Sequence, residues 1–225
     1  LLGVLRRERA YGVHLLPLLD ERFAARLLRE VQHIEANYTR LVERPNSMNR
    51  HGVVLTDWGF DDLFARIAHD VLTPLAHVAH ADWILDDALD SMHAFVVEYD
   101  RDGAKDRDLA KHMDESLVTL NVNLGVRGFR GGAVVFSGVR DTLSEREPHD
   151  IAVEQHVGGR DALMHVGQTW HAAQPLLSGE RYNLILWARS YASLLSPLER
   201  YACGCVPADA FPHRELCSYP RDADA

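Results

Sequence analysis

The chain has 225 residues, 47% hydrophobic and 25% charged, enough for one large domain or two small ones with a substantial core. Its 24 Lys and Arg against 33 Asp and Glu leave a net charge of −9, which argues against a phosphate-backbone partner. No apolar run reaches membrane-spanning length and no basic-then-apolar leader opens the chain; because residue 1 is Leu1, a trimmed or truncated N-terminus is expected.

Asp20 stands where a helix N-cap would, ahead of Phe23, Leu27, Val31, Ile34, Tyr38 and Leu41. Steps of three and four make these one apolar stripe, and Pro45-Asn46-Ser47 ends it. A second helical stripe carries Leu63, Ile67, Val71, Leu75 and Val78, with Pro74 expected to kink or end it. Core packing explains both stripes.

From Met92 the period changes to two. Met92 to Tyr99 reads as a strand. In Leu117 to Leu124, Val118, Leu120, Val122 and Leu124 share one face, while Thr119, Asn121 and Asn123 share the other. Residues 133–136, 152–157, 162–166 and 182–189 read as further strands, with Gly131-Gly132, Gly158-Gly159, Gly167 and Ser178-Gly179 as turns between them. Helices followed by many short strands predict a mainly β fold with flanking helices, a double-sheet jelly roll. The expected organisation is one structural domain with three parts: an N-terminal helical region (1–90) on a barrel, a jelly-roll core (91–192) and a C-terminal tail (193–225). The polar stretches 100–111 and 138–150 flank the core as loops.

Three Cys, all late, do not form a disulfide framework and favour a reducing, cytoplasmic compartment. Cys203, Cys205, His213 and Cys217 have zinc-binding chemistry at a non-standard spacing, and unpaired thiols in a Pro-rich tail explain them more simply.

The chemistry concentrates in His112-Met113-Asp114, His171 and Arg181. In extended backbone residues i and i+2 point the same way, so His112 and Asp114 can reach one ion while Met113 faces away. His171 would complete a two-His, one-carboxylate set from another strand. That set leaves positions open and suits non-haem Fe(II), although Mn, Co, Ni or Zn could use the same ligands. Arg181 heads a face shared with Asn183, Ile185, Trp187 and Arg189, and its planar guanidinium can fork onto a carboxylate. Each residue alone has a plainer reading, a structural His or a surface ion pair; it is their combination that points to a site.

Tyr99, His112-Met113-Asp114, the strand 118–124, Gly131-Gly132, the segment 171–175 and Gly179-Glu180-Arg181 resemble the Fe(II)/2-oxoglutarate-dependent oxygenases, in particular the prolyl-4-hydroxylase-type branch. Segments 45–55 and 182–187 are further similar to the subgroup called 2-oxoglutarate and iron-dependent oxygenase domain-containing proteins. The resemblance covers roughly residues 45–190. It implies a double-stranded β-helix (jelly roll, cupin-like), with Fe(II) as cofactor, 2-oxoglutarate and O₂ as cosubstrates, and ascorbate as an accessory reductant. By position, His112, Asp114 and His171 would hold iron, and Arg181 would bind the distal C5 carboxylate of 2-oxoglutarate. Asn123 falls where relatives often place a Tyr that shares this carboxylate; Tyr99, Thr119, Asn121, Asn183 and Trp187 are further pocket candidates. Asp114 in place of Ala or Gly argues against the halogenating variant.

The implied activity is hydroxylation of an unactivated C–H in an amino-acid, peptidyl or small-molecule substrate, with release of succinate and CO₂. Desaturation, epoxidation or cyclisation by the same oxidant, a non-catalytic sensor, and a cupin-like metalloenzyme without 2-oxoglutarate are the alternatives. No nucleic-acid or membrane partner is expected. Asn49, Arg50 and His51 are candidate entrance residues.

Overall fold

The computed structural model describes residues 8–81, 83–84, 88–102, 105–125, 128–140, 150–155 and 161–190. The tail with Cys203, Cys205, His213 and Cys217, and the Gly158-Gly159 turn, lie outside them.

Helix α1 (Glu21–Tyr38) begins where expected: the Asp20 carboxylate accepts a hydrogen bond from the Arg22 backbone N–H at 2.8 Å. Ala24, Leu27, Val31 and Ile34 are buried, whereas Tyr38 and Leu41 are 43% and 69% exposed, so the apolar stripe reaches the core only as far as Ile34. The second helical stretch runs as α2 (Asp61–Arg66), a wide π-helical turn (Ile67–Leu72) and α3 (Thr73–Ala79). Pro74 neither ends nor breaks it. It falls in the first turn of α3, after the Thr73 N–H has reached back five residues to Ala68, so a missing donor there costs little. The most buried side chains are Phe64, Ala68, Leu72, Leu75 and Ala76, one row over from the expected stripe except at Leu75. Leu63-Phe64 and Val71-Leu72 put bulky apolar groups in both rows, so period alone could not choose between them.

Two antiparallel sheets form the body. The larger has seven strands in the order β1 (Glu8–Ala10), β2 (Val13–Leu16), β10 (Ala162–Val166), β6 (Val118–Gly125), β13 (Glu180–Arg189), β4 (Ser91–Asp100) and β3 (Gly52–Val54). The smaller has β5 (Leu109–His112), β11 (Thr169–Ala173), β8 (Val134–Val139) and β9 (Ile151–Val153) in that order, and β7 (Arg130–Gly131) pairs with β12 (Leu176–Ser178). β1, β2 and β3 come from the region before residue 91. They are too short to show an alternation, and β3 is buried throughout.

Apolar side chains join the sheets. Val13, Leu15 and Leu163 pack with Val134, Phe136 and Val153, and Phe95, Val97 and Ile185 pack with Leu176. On the other side of the larger sheet, Leu120, Val122, Leu184 and Leu186 pack with Leu27 and Val31 of α1 and with Phe64 and Leu72. The result is the expected mainly β jelly roll with helices on one outer face. Among the described residues no helix is long and apolar enough to cross a membrane.

Candidate metal centre

Strand pairing brings the three ligand candidates together. β5 and β11 are neighbours with His112 directly opposite His171. Asp114 lies just past the end of β5, where its backbone N–H donates to Gly167 O at 2.9 Å. Asp114 Oδ1 is 3.4 Å from His112 Nε2 and 3.6 Å from His171 Nε2, and one donor atom from each of the three residues falls within 4.8 Å of the others.

The tautomers follow from the backbone. His112 Nδ1 donates to Ala110 O at 2.8 Å and His171 Nδ1 donates to Thr169 O at 2.9 Å. A carbonyl can only accept, so each Nδ1 carries its hydrogen and each Nε2 is free to ligate. On the far carboxylate oxygen, Thr119 Oγ1 donates to Asp114 Oδ2 at 2.6 Å, and Ser116 Oγ meets Thr119 Oγ1 at 2.7 Å.

Electrostatics point the same way. Burial opposes ionisation of Asp114, yet the nearby His171, His112 and His165 outweigh it and hold the carboxyl well below its usual range. Burial pushes His171 down to about 3 against the pull of Asp114, so its imidazole is neutral at pH 7. Burial also disfavours charge on His112, but its hydrogen bond and attraction to Asp114 leave it above 6.5. A buried carboxylate facing two imidazole nitrogens fits a divalent cation on chemical grounds, and a 2-His-1-carboxylate set fits Fe(II).

The triad opens into a cavity of about 460 Å³, mouth included, and Arg181 lines the same cavity. Arg181 is 3% exposed, its guanidinium lies over the Tyr99 ring at 4.8 Å, and NH1 donates to Gly132 O. Burial pulls the Arg181 pKa down while Tyr99 opposes the shift. Gly132 sits at φ +70°, and a Cβ there would come within 2.8 Å of Arg181 NH1, so glycine is what lets the backbone meet the guanidinium.

Tyr99, Thr119, Asn121, Asn183 and Trp187 also line this cavity. Thr119 faces Asp114 there rather than open space. Asn123 does not line it: its side chain donates to Gln155 O at 3.4 Å and accepts from Gly125 N at 3.1 Å. Tyr99, opposite Arg181 across β4 and β13, is the aromatic group beside the guanidinium. Asn49 lines the cavity, whereas His51 Nδ1 lies 3.6 Å from Asp106 Oδ2 and the backbone N–H of Arg50 donates to the same carboxylate.

Three contributors escaped the sequence reading. Gln155 bonds Asn121 and Asn183 but is a lone amide before a Gly-rich stretch, with no pattern to mark it. Asn46 lines the cavity from a loop that reads only as a turn. His165 is fully buried, with Nε2 3.8 Å from Asp114 Oδ2; alternation along 162–166 would have put it on the inward face with Leu163.

Fold and site together define a jelly-roll protein with a candidate metal-binding triad and a buried arginine in one cavity. Residues 2–84 match the OGFOD2-like domain family. The chain is 39% identical over 188 residues to the 2-oxoglutarate and iron-dependent oxygenase domain-containing protein ICU11 of Arabidopsis thaliana, covering 80% of this chain and 45% of that one. To the human 2-oxoglutarate and iron-dependent oxygenase domain-containing protein 2 it is 37% identical over 191 residues, covering 84% and 51%. Among solved structures, a Pseudomonas putida prolyl-4-hydroxylase superposes with TM-score 0.54 at 16% identity, covering 80% of this chain and 93% of that one. The α-ketoglutarate-dependent epimerase SnoN of nogalamycin biosynthesis superposes with TM-score 0.55 at 17% identity, covering 80% and 79%. Over about four-fifths of its length the chain is similar to 2-oxoglutarate and iron-dependent oxygenase domain-containing proteins, and it spans about half the length of the curated relatives it matches.

Proposed function

We propose that this protein is a 2-oxoglutarate-dependent dioxygenase that hydroxylates an unactivated C–H bond of an amino-acid, peptidyl or small-molecule substrate. The supporting observation is the convergence of His112, Asp114 and His171 in the cavity that also holds the buried Arg181. His112 and His171 would hold Fe(II) through Nε2, and Asp114 through its carboxylate. Bound iron supplies the oxidising chemistry, with 2-oxoglutarate and O₂ converted to succinate, CO₂ and the hydroxylated product.

The chain's own residues do the rest. Thr119 holds the outer oxygen of Asp114, which fixes the carboxylate plane. The Ala110 and Thr169 carbonyls fix the ring orientation of the two histidines. Arg181 forks onto the C5 carboxylate of 2-oxoglutarate, and the Tyr99 ring covers its other side. Phe95, Val97, Leu109 and Ile185 line the cavity with apolar surface and limit water around the reacting groups.

The test is succinate release, screened against peptides and metabolites, with a +16 mass shift sought in any compound that stimulates it. Arg181→Gln is expected to raise the 2-oxoglutarate KM at least roughly 10-fold, the scale of one lost charged hydrogen bond. An unchanged KM would remove Arg181 from this role. Succinate production that no compound stimulates would favour a sensor over an enzyme.

A further inference from the structure

The loop of residues 45–51 reaches the cavity from outside the barrel strands, and Asn49 in it is 2% exposed. A buried amide in a loop needs a reason. Asn46 grips it twice: Asn46 Oδ1 accepts from the Asn49 backbone N–H at 2.8 Å, and Asn46 Nδ2 donates to Asn49 Oδ1 at 3.0 Å. With its oxygen held this way, Asn49 turns its amide nitrogen to the Tyr99 hydroxyl at 3.5 Å.

The loop has little freedom. It runs into β3 at Gly52, which pairs with Val97 at φ +136°; a Cβ there would sit 1.9 Å from Val96 O. His51 O accepts from Glu98 N at 3.2 Å, Arg50 N donates to Asp106 Oδ2 at 2.9 Å, and His93 Nε2 donates to Pro45 O at 3.2 Å.

The hydrogen inventory at Tyr99 is decisive. Tyr99 is 3% exposed, and among the described residues its oxygen accepts from the amide nitrogen of Asn49 at 3.5 Å while the guanidinium of Arg181 lies over its ring. Both are donors only, so neither can take the hydroxyl hydrogen. That hydrogen is left for an incoming acceptor beside Arg181.

We propose that Asn49, locked by Asn46, is a positioning residue: it occupies the Tyr99 oxygen as a donor, so that the hydroxyl hydrogen is presented to the carboxylate bound at Arg181. The proposal rests on the reading that Arg181 takes the distal carboxylate of 2-oxoglutarate. Tyr99 and Arg181 then act as a two-sided clamp whose phenol arm is set by a loop outside the barrel.

The test is the 2-oxoglutarate Kd of the Mn(II)-loaded protein by calorimetry, with the Mn(II) Kd and Tm measured alongside. Asn49→Ala and Tyr99→Phe should each weaken 2-oxoglutarate roughly 3- to 10-fold, the worth of one hydrogen bond, with the Mn(II) Kd unchanged. The double variant should be no weaker than Tyr99→Phe alone. Asn49→Asp keeps the shape but can accept the hydroxyl hydrogen itself, so it should weaken binding more than Asn49→Ala. Additive losses in the double variant would overturn the proposal, as would an Asn49→Asp that binds as well as wild type. Arg181→Gln separates the two ideas. If it weakens binding while Asn49→Ala and Asn49→Asp do not, the clamp reading stands and the role of Asn49 falls. If Arg181→Gln binds normally, both fall.

Discussion

Strand β13 presents two faces that obey different rules. Tyr182, Leu184, Leu186 and Ala188 look toward the helices and close into one apolar core with Leu120, Val122 and α1. Arg181, Asn183, Ile185 and Trp187 look into the cavity, and there Arg181 Nε, Asn183 Oδ1 and Trp187 Nε1 are buried without partners among the described residues. A fold under pressure only for stability pairs such groups or replaces them. The same backbone thus carries a finished surface on one side and an unfinished one on the other, and the unfinished side is where ligands belong.

Polar groups on the helix-facing side behave differently again, closing on one another. Glu98 of β4 is 1% exposed and accepts hydrogen bonds from the Tyr182 hydroxyl and from Lys105, and Glu35 of α1 joins it. Burial, with the charge of Glu98 behind it, raises the Glu35 pKa from 4.5 to about 8.

This contrast can be broken from either side. The largest effect belongs to the apolar face: Leu120→Ala, at 1% exposure, should cost about 2–5 kcal/mol of stability in chemical denaturation. The metal affinity of its folded fraction should stay as in wild type, and a parallel loss would mean that the two faces are not separable. Thr119→Val alters the cavity face of the neighbouring strand. It strips one buried hydrogen bond from Asp114 and should weaken metal binding about 10-fold, with a stability cost of about 1–3 kcal/mol that stays at or below that of Leu120→Ala.

A further effect is pH-dependent. A carboxyl with a raised pKa keeps its proton when folded and releases it on unfolding at neutral pH. The stability this one group contributes is therefore fullest below about pH 4.5 and is lost as pH rises toward 8. Glu35→Gln should flatten that decline, gaining over wild type at pH 8 and not at pH 4 in parallel denaturation curves. An unaltered slope would place the proton elsewhere.

What the sequence made legible follows from periodicity and from spacing. Strict alternation along 118–124 and 182–188 sorted both faces correctly, because successive side chains along a paired strand point to opposite sides of the sheet. The spacing of His112 and Asp114 announced a shared direction, and pairing of β5 with β11 delivered His171 opposite. Asp20 marked its helix because capping is local chemistry. Long-range pairing was not legible. Short strands such as β2 and β3 have no visible period, and their place at the sheet edges depends on partners far along the chain. The position of Asn123 was assigned by resemblance, but the turn of its amide onto Gly125 and Gln155 depends on a segment 32 residues away. Asn46 and Gln155 each carry one neutral amide, and only the folded chain shows what each faces.

The central claim is that one ion and one keto-diacid meet in this cavity, held by His112, Asp114, His171 and Arg181. The most direct measurement is an anaerobic titration of the protein with Fe(II) and 2-oxoglutarate, followed by visible absorption. A charge-transfer band is expected that requires both components, is abolished in Asp114→Ala, and needs far more 2-oxoglutarate in Arg181→Gln. A band of undiminished strength in Asp114→Ala, or none in the wild type at saturating Fe(II) and 2-oxoglutarate, would contradict the claim.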